Sequence, residues 1–283
     1  MTFIKPEYFM GKPTDDWLKE DSRSKKKPKG KTSPIVIPSG NYWIIKNVFY
    51  NGTTQDYALR RTLLSSATQD VHAQNRIAKL NNGFYCGSMP LNYAAFKAVY
   101  NMPESKEKQE IRKFIQESMR NIFLITSTRI LYQPGDKVLD KIIHNYKIPN
   151  EEFEKQALIV GTDRVLIQDD ANALEALVLT NDVNEVKEVL SWINETPVVW
   201  IWRLNEEPNT IDERVVGFLA YYDRVVFICY WDPSLANDSL GYAPLGASGG
   251  KLAGMQGEQN EYSKIKTKTA RKKKQSWFSQ WEF

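Results

Sequence analysis

The run DERVVGFLAYYDRVVFICYW, Asp212 to Trp231, sets the tightest limit on what this chain can fold into. Its Val, Ile, Phe, Tyr and Trp favour extended backbone, in which successive side chains point to opposite faces. Read with that period, Val225, Phe227, Cys229 and Trp231 share one face. Val226, Ile228, Tyr230 and Asp232 share the other. The first set makes a core layer. The second mixes aliphatics, an aromatic and a carboxylate, and an unpaired carboxylate resists burial. Two readings follow: a strand buried on both faces with Asp232 past its end, or a strand whose second face is a surface.

The rest of the chain supplies helices and further strands. YWIIKNVFY (42–50) reads as a strand, and folded sequence is expected to start at Asn41. PLNYAAFKAVY (90–100) reads as a short helix. From Pro103 to Phe123, Ile111, Phe114, Ile115 and Met119 recur at helical spacing, with Pro103 and Glu104 suited to the first turn. Residues 171–194 hold two helical pieces, with Thr180, Asn181 and Asp182 as capping side chains between them. VVWIWRL, RVVGFLAYY and RVVFICYW then read as strands. The expected class is α+β, helices first and strands clustered late.

Charge divides the chain into three parts. The net charge of +4 comes from two runs, Arg23–Lys31 and Lys264–Lys274, around a mildly acidic middle. Residues 21–40 are rich in Lys, Ser, Pro and Gly and cannot offset their ordering entropy by burial. The expected domains are a basic N-terminal arm (1–40), a folded domain (41–243) and a Gly-rich linker with a basic-aromatic tail (244–283). Closely spaced cations attract phosphates, so Lys25, Lys26, Lys27, Arg271, Lys272, Lys273 and Lys274 are candidate nucleic-acid or anion contacts. Trp277, Phe278, Trp281 and Phe283 beside the second run could stack on bases or enter a partner.

Chemistry-bearing motifs are few. GASGGKL (Gly246–Leu252) has three residues, not four, between Gly246 and Gly250, and Leu252 stands where a phosphate loop needs a hydroxyl. The two cysteines, Cys86 and Cys229, read as buried free thiols, and with two histidines no zinc ligand set is expected. His144, beside Ile142 and Ile143, reads as a hydrogen-bonded structural histidine. Asp169-Asp170 and Asp212-Glu213 read as turn or capping carboxylates. No cofactor, metal or catalytic residue is expected. Nor is a secretory signal or transmembrane segment, which implies an intracellular or virion-associated protein.

The series Trp202-Arg203-Leu204-Asn205, Pro208, Asp212-Glu213-Arg214-Val215-Val216, Phe218, Ala220, Arg224, Cys229, Pro233 and Leu240-Gly241 resembles the C-terminal segment of variable proteins of diversity-generating retroelements. It is most similar to a type from small-genome archaea and their viruses, and PLNYAAFKAVY, Ile143–Tyr146 and Val186–Asn194 fit the same pattern. The resemblance covers roughly residues 41–243. It implies a C-type-lectin fold, also that of formylglycine-generating enzymes, with helices packed on a small, mainly antiparallel sheet, and a ligand-binding display protein rather than an enzyme. In that family a reverse transcriptase alters adenines near the gene's 3′ end. The implied varied, ligand-binding positions are Leu219, Tyr221, Tyr222, Val226, Ile228, Tyr230, Asp232, Leu235 and Asn237, each a residue type reachable from an Asn codon. The implied fixed frame is Phe218, Ala220, Arg224, Phe227, Cys229, Pro233, Leu240 and Gly241, with Arg224 anchored by a carboxylate such as Asp212 or Glu213. The family's closing arginine is absent at Gly241-Tyr242-Ala243, and the chain continues beyond it. The alternative expectation is a structural protein of a virus particle or nucleic-acid-associated assembly, anchored by its basic termini.

Overall fold

The computed structural model describes residues 40–72, 83–148, 151–161 and 164–245, together with the backbone of two short strands near the N-terminus. The chain divides into two compact units, Met1–Pro34 and Ile35–Phe283. In the first, β1 (Tyr8–Phe9) pairs antiparallel with β2 (Lys12–Pro13), local structure that the expected arm did not include.

The second unit is α+β. Strands β3 (Tyr42–Tyr50) and β4 (Thr53–Arg60) form a hairpin around Asn51 and Gly52, both at positive φ. That is the geometry for which Asn-Gly turns are favoured. β5 (Leu64–Ala67) and β6 (Tyr85–Cys86) follow, then helices α1 (Met89–Tyr100) and α2 (Lys106–Asn121). Four strands come next: β7 (Leu124–Tyr132), β8 (Asp140–His144), β9 (Phe153–Ala157) and β10 (Arg164–Leu166). Helices α3 (Ala171–Val178) and α4 (Val183–Asn194) precede β11 (Val199–Trp202), β12 (Asp212–Ala220), β13 (Val225–Trp231), β14 (Asn237–Ser239) and β15 (Gly241–Leu245).

Strands therefore occur on both sides of each helix pair, which corrects the expected order of helices first and strands late. β4, β9 and β10 show little apolar alternation, and β7 (LITSTRILY) and β8 (DKIIH) interrupt short apolar runs with polar residues, so pairing with neighbours is what makes them strands. The folded region also runs past 243, because Pro244 and Leu245 pair with Tyr57 and Asp56 in β4.

The larger sheet has the order β10-β11-β13-β12-β7-β8-β9, antiparallel except for the parallel pair β11–β13. The smaller has the order β3-β4-β15-β6, and β5 pairs with β14 separately. One hydrophobic cluster joins Trp43, Ile45 and Val48 of β3, the apolar sides of the helices, and Ile201, Val216, Phe218, Val225, Phe227 and Cys229 of the large sheet. Phe96 of α1 meets Phe218 edge-on at 5.8 Å.

Side chains set the helix ends. Ser105, not Pro103 or Glu104, begins α2: its hydroxyl accepts from the Lys108 N–H, while Glu104 reaches Lys108 from outside the helix. Asp170 and Asp182 cap α3 and α4, and Leu179 and Glu195 end them in the left-handed conformation. The Met89 N–H at the start of α1 donates instead to Thr128 Oγ1 of β7. The Ala176 carbonyl can only accept, so His144 Nε2–H donates to it, and the bare Nδ1 accepts the Thr128 hydroxyl proton at 3.0 Å. Burial pushes the His144 imidazole down to about 4. This neutral ring ties β7, β8 and α3 together.

Candidate ligand-binding face

β13 lies between β11 and β12, so its inner residues Val225, Phe227 and Cys229 enter the core. On the outer side Val226 is level with Trp200 and Leu219, and Ile228 with Trp202 and Gly217. The rings of Trp202 and Tyr221 approach to 6.2 Å. One belongs to β11 and the other follows β12, so they meet over β13. Phe123 and Trp231 approach to 4.4 Å, with Phe123 lying where a Gly217 side chain would be. One precedes β7 and the other ends β13, so they meet over β12. Two pairs of aromatics thus roof the outer face.

This roof corrects the expectation for two candidates. Val226 and Ile228 are 0% and 6% exposed and offer no surface to a ligand. Being β-branched and flanked by Trp200 and Trp202, they are overtopped by wider neighbours. Trp231 is corrected in the opposite sense. Between the pairs Gly217–Ile228 and Val215–Trp231, β12 advances two residues and β13 three. This bulge shifts the alternation by one and moves Trp231 from the expected core face to the outer face.

The remaining candidates are accessible. Tyr222 is 91% exposed and Tyr221 38%, in a turn closed by the Tyr221 N–H donating to the Arg224 carbonyl at 2.8 Å. Leu235 is exposed, while Leu219, Tyr230, Asp232 and Asn237 are half-buried. Asp232 lies one residue past β13 and accepts from both the N–H and the hydroxyl of Ser234. Those bonds hold its carboxyl below the ordinary carboxylate value. Asn237 pairs with Ala67 across β14 and β5. Of the frame residues, Phe218, Ala220, Phe227, Cys229, Leu240 and Gly241 are buried, and Pro233 and Arg224 half-buried.

Arg224 is not anchored as expected. Asp212 binds Arg214 at 2.8 Å, and Glu213 binds Arg129. Arg224 instead lies over the Tyr221 ring at 5.0 Å, with a contact of 3.6 Å to exposed Asp223. Glu213 answers Arg129, which at 3% exposed is the more deeply buried cation. It also takes Asp70 and stacks on Tyr146, and burial lowers its pKa first. The other acidic pair is structural too: Asp170, besides capping α3, binds Arg203 at 2.7 Å.

Several outer-face residues had weak sequence signals. Trp200 and Trp202 alternate within VWIW and so share a face, a pattern legible in the sequence. Phe123, Arg120 and Arg164 gave none. Arg120 lies over Tyr222 at 5.8 Å and Arg164 over Trp202 at 4.9 Å. Arginine over an aromatic face adds attraction and keeps the ring's orientation.

Both thiols are free and buried, and burial pushes Cys86 up to about 12 and Cys229 well above its ordinary value. Among the described residues, no cluster of three or more His, Cys, Asp or Glu could hold a metal ion, and no helix is long and apolar enough to cross a membrane. Lys25, Lys26, Lys27, Arg271, Lys272, Lys273, Lys274 and the segment Gly246–Leu252 lie outside the described residues.

A scan of family models, a search of curated proteins and a search of solved structures each return no match.

Proposed function

We propose that this chain is a ligand-binding display protein with a C-type-lectin-like domain, and that the surface carried by residues 219–237 captures a macromolecular ligand, in the first place a protein. The observation that carries the reading is the pair Tyr221–Tyr222, exposed at a tight turn between two central strands. Tyrosines held this way supply large contact area with few rotors and a hydroxyl to pair. Trp202, Arg224 and Arg120 support their rings from beneath and beside. Tyr, Trp and Arg are the residues in which binding hot spots are enriched.

The sequence resemblance adds the second half of the proposal: the exposed part of this segment is the diversified surface of a retroelement variable protein. The fold argument refines which positions vary. Leu219, Tyr221, Tyr222, Tyr230, Asp232, Leu235 and Asn237 can change without filling or emptying the core. Val226 and Ile228 tolerate only apolar exchange under the aromatic roof. Sequencing codons 210–245 across the source population tests both halves. Substitutions at the seven accessible codons, with apolar exchange alone at 226 and 228, are the expected result. An invariant stretch, or changes spread equally over Phe218, Phe227 and Cys229, overturns diversification. The binding reading is tested separately by Tyr221→Ala/Tyr222→Ala, which is expected to leave the fold intact and to abolish capture of any ligand selected against the wild-type domain.

A further inference from the structure

His72 belongs to a helical turn, residues 69–72, that follows β5 and packs under β14. The ring is 1% exposed, and its Nε2 lies 3.2 Å from the carbonyl oxygen of Asn237. That carbonyl can only accept, so Nε2 carries the proton and Nδ1 is the bare nitrogen of a neutral ring. Nδ1 is buried and has no hydrogen-bond partner. The same corner holds Gln69, whose amide nitrogen and oxygen are both buried and unpaired, and Ser239, whose buried hydroxyl faces the Cys86 thiol. Three buried polar atoms without a hydrogen-bond partner thus fall on Gln69 and His72, in one helical turn at the β5–β14 corner. The strands here are short: β14 has three residues and a shift in register between Asn237 and Ser239.

We propose that His72 is an acid-released latch: with a neutral ring it holds β14 and the preceding loop 232–236 in place, and when the ring takes up a proton the corner opens. The physical reason is the second N–H. Protonation puts a donor on Nδ1, where no acceptor exists, and a positive charge where water does not reach. Burial already lowers the affinity of this ring for protons, outweighing the Asn237 carbonyl and the nearby Asp238, which both favour the charged form. Asp238 on β14 is the charged group acting on the ring, and burial raises its own pKa in turn. On the ring's own turn, Asp70 is engaged by Arg129 and Lys147, and Cys86 on β6 remains a protonated thiol. The open form lets the imidazolium hydrate and meet Asp238 in water.

The sign follows from linkage. The closed form has the lower pKa and the open form the ordinary value of about 6.5, so closure is complete above that pH and weakens as pH falls below it. The latch bears on function only if residues 232–237 belong to a ligand surface, as proposed above, but its test needs no ligand. Amide exchange at Leu235, Asn237 and Ser239 is followed in the full chain from pH 7.5 to 5, corrected for intrinsic rates. One linked proton makes the opening constant rise by up to about tenfold per pH unit below 6.5. His72→Gln keeps a donor for the Asn237 carbonyl and cannot charge, and its slope is expected to vanish. An equal slope in both proteins, or none in the wild type, overturns the latch. If His72→Gln does not fold, the intact protein still decides. Its two imidazoles give two ring resonances, and that of His72 is the one displaced in Asp238→Asn. Titration of this ring together with loss of β14 protection supports the latch. A ring that stays neutral until the whole domain unfolds refutes it.

Discussion

The β12–β13 turn and the β5–β14 corner carry two parts of one candidate surface, and they are held in place by opposite means. Around the turn, seven strands align in one sheet, four aromatic rings close over the outer face, and the inner face is part of the main core. At the corner, two short strands meet over side chains with unmet hydrogen-bonding capacity. Burial of apolar area is non-directional and tolerates exchange of one exposed residue for another. A polar corner depends on each bond and each proton. Tyr221 and Tyr222 thus stand on the packed sheet, while the placement of Leu235 and Asn237 depends on the corner.

The comparison breaks most severely at Gly217. A side chain there would enter the Phe123 ring and stand 2.7 Å from the Leu124 carbonyl. Gly217→Val is expected to cost about 3 kcal/mol by overpacking, read from urea unfolding, with loss of the near-ultraviolet aromatic signal. Gly217→Val with near-wild-type stability means that the roof is not a packed layer.

Acid comes next. The His144 value of about 4, against about 6.5 in the unfolded chain, means that stability is complete above pH 6.5 and falls as pH drops toward 4. The loss attributable to this ring is about 3 kcal/mol at pH 4. Denaturant midpoints measured between pH 7 and 4 check it, and His144→Gln is expected to flatten that dependence. The corner should open at higher pH than the domain unfolds.

Smaller and of opposite sign is Gln69→Leu. Replacing a buried amide that has no partner by an apolar group is expected to raise stability by about 1 kcal/mol. A thermal midpoint lowered by the change shows that the amide is bonded after all, and that the corner is no weaker than the turn. Last is Tyr222→Ala, expected to shift unfolding by less than about 0.5 kcal/mol because the ring is solvent-exposed.

Much of the architecture was legible because it rests on local rules. The α4 cap at Asp182 and the burial of Phe227 and Cys229 follow from side-chain chemistry and period two, whereas Phe218 was assigned to the frame by the resemblance and the end of β13 before Asp232 was one of two open readings. The Asn51-Gly52 dipeptide announces the β3–β4 hairpin by turn chemistry, though β4 itself, TTQDYALR, has little apolar pattern. The site was harder. Tyr221 and Tyr222 were placed on it by the resemblance, and both are exposed. The partners of these rings come from sequence positions as distant as Arg120 and Trp202, and no local pattern connects them.

By itself the sequence determined that YWIIKNVFY and RVVFICYW form strands, that Val225, Phe227 and Cys229 face inward, and that Asp182 caps α4. It did so because propensity, alternation and capping act over a few residues. Tertiary structure alone decided that Val226 and Ile228 lie under a roof, that one extra residue in β13 carries Trp231 to the outside, and that Glu213 answers Arg129 rather than Arg224. Each of those outcomes depends on which strand lies beside which, and strand order is set by the cooperative burial of the whole core rather than by any short stretch of chain.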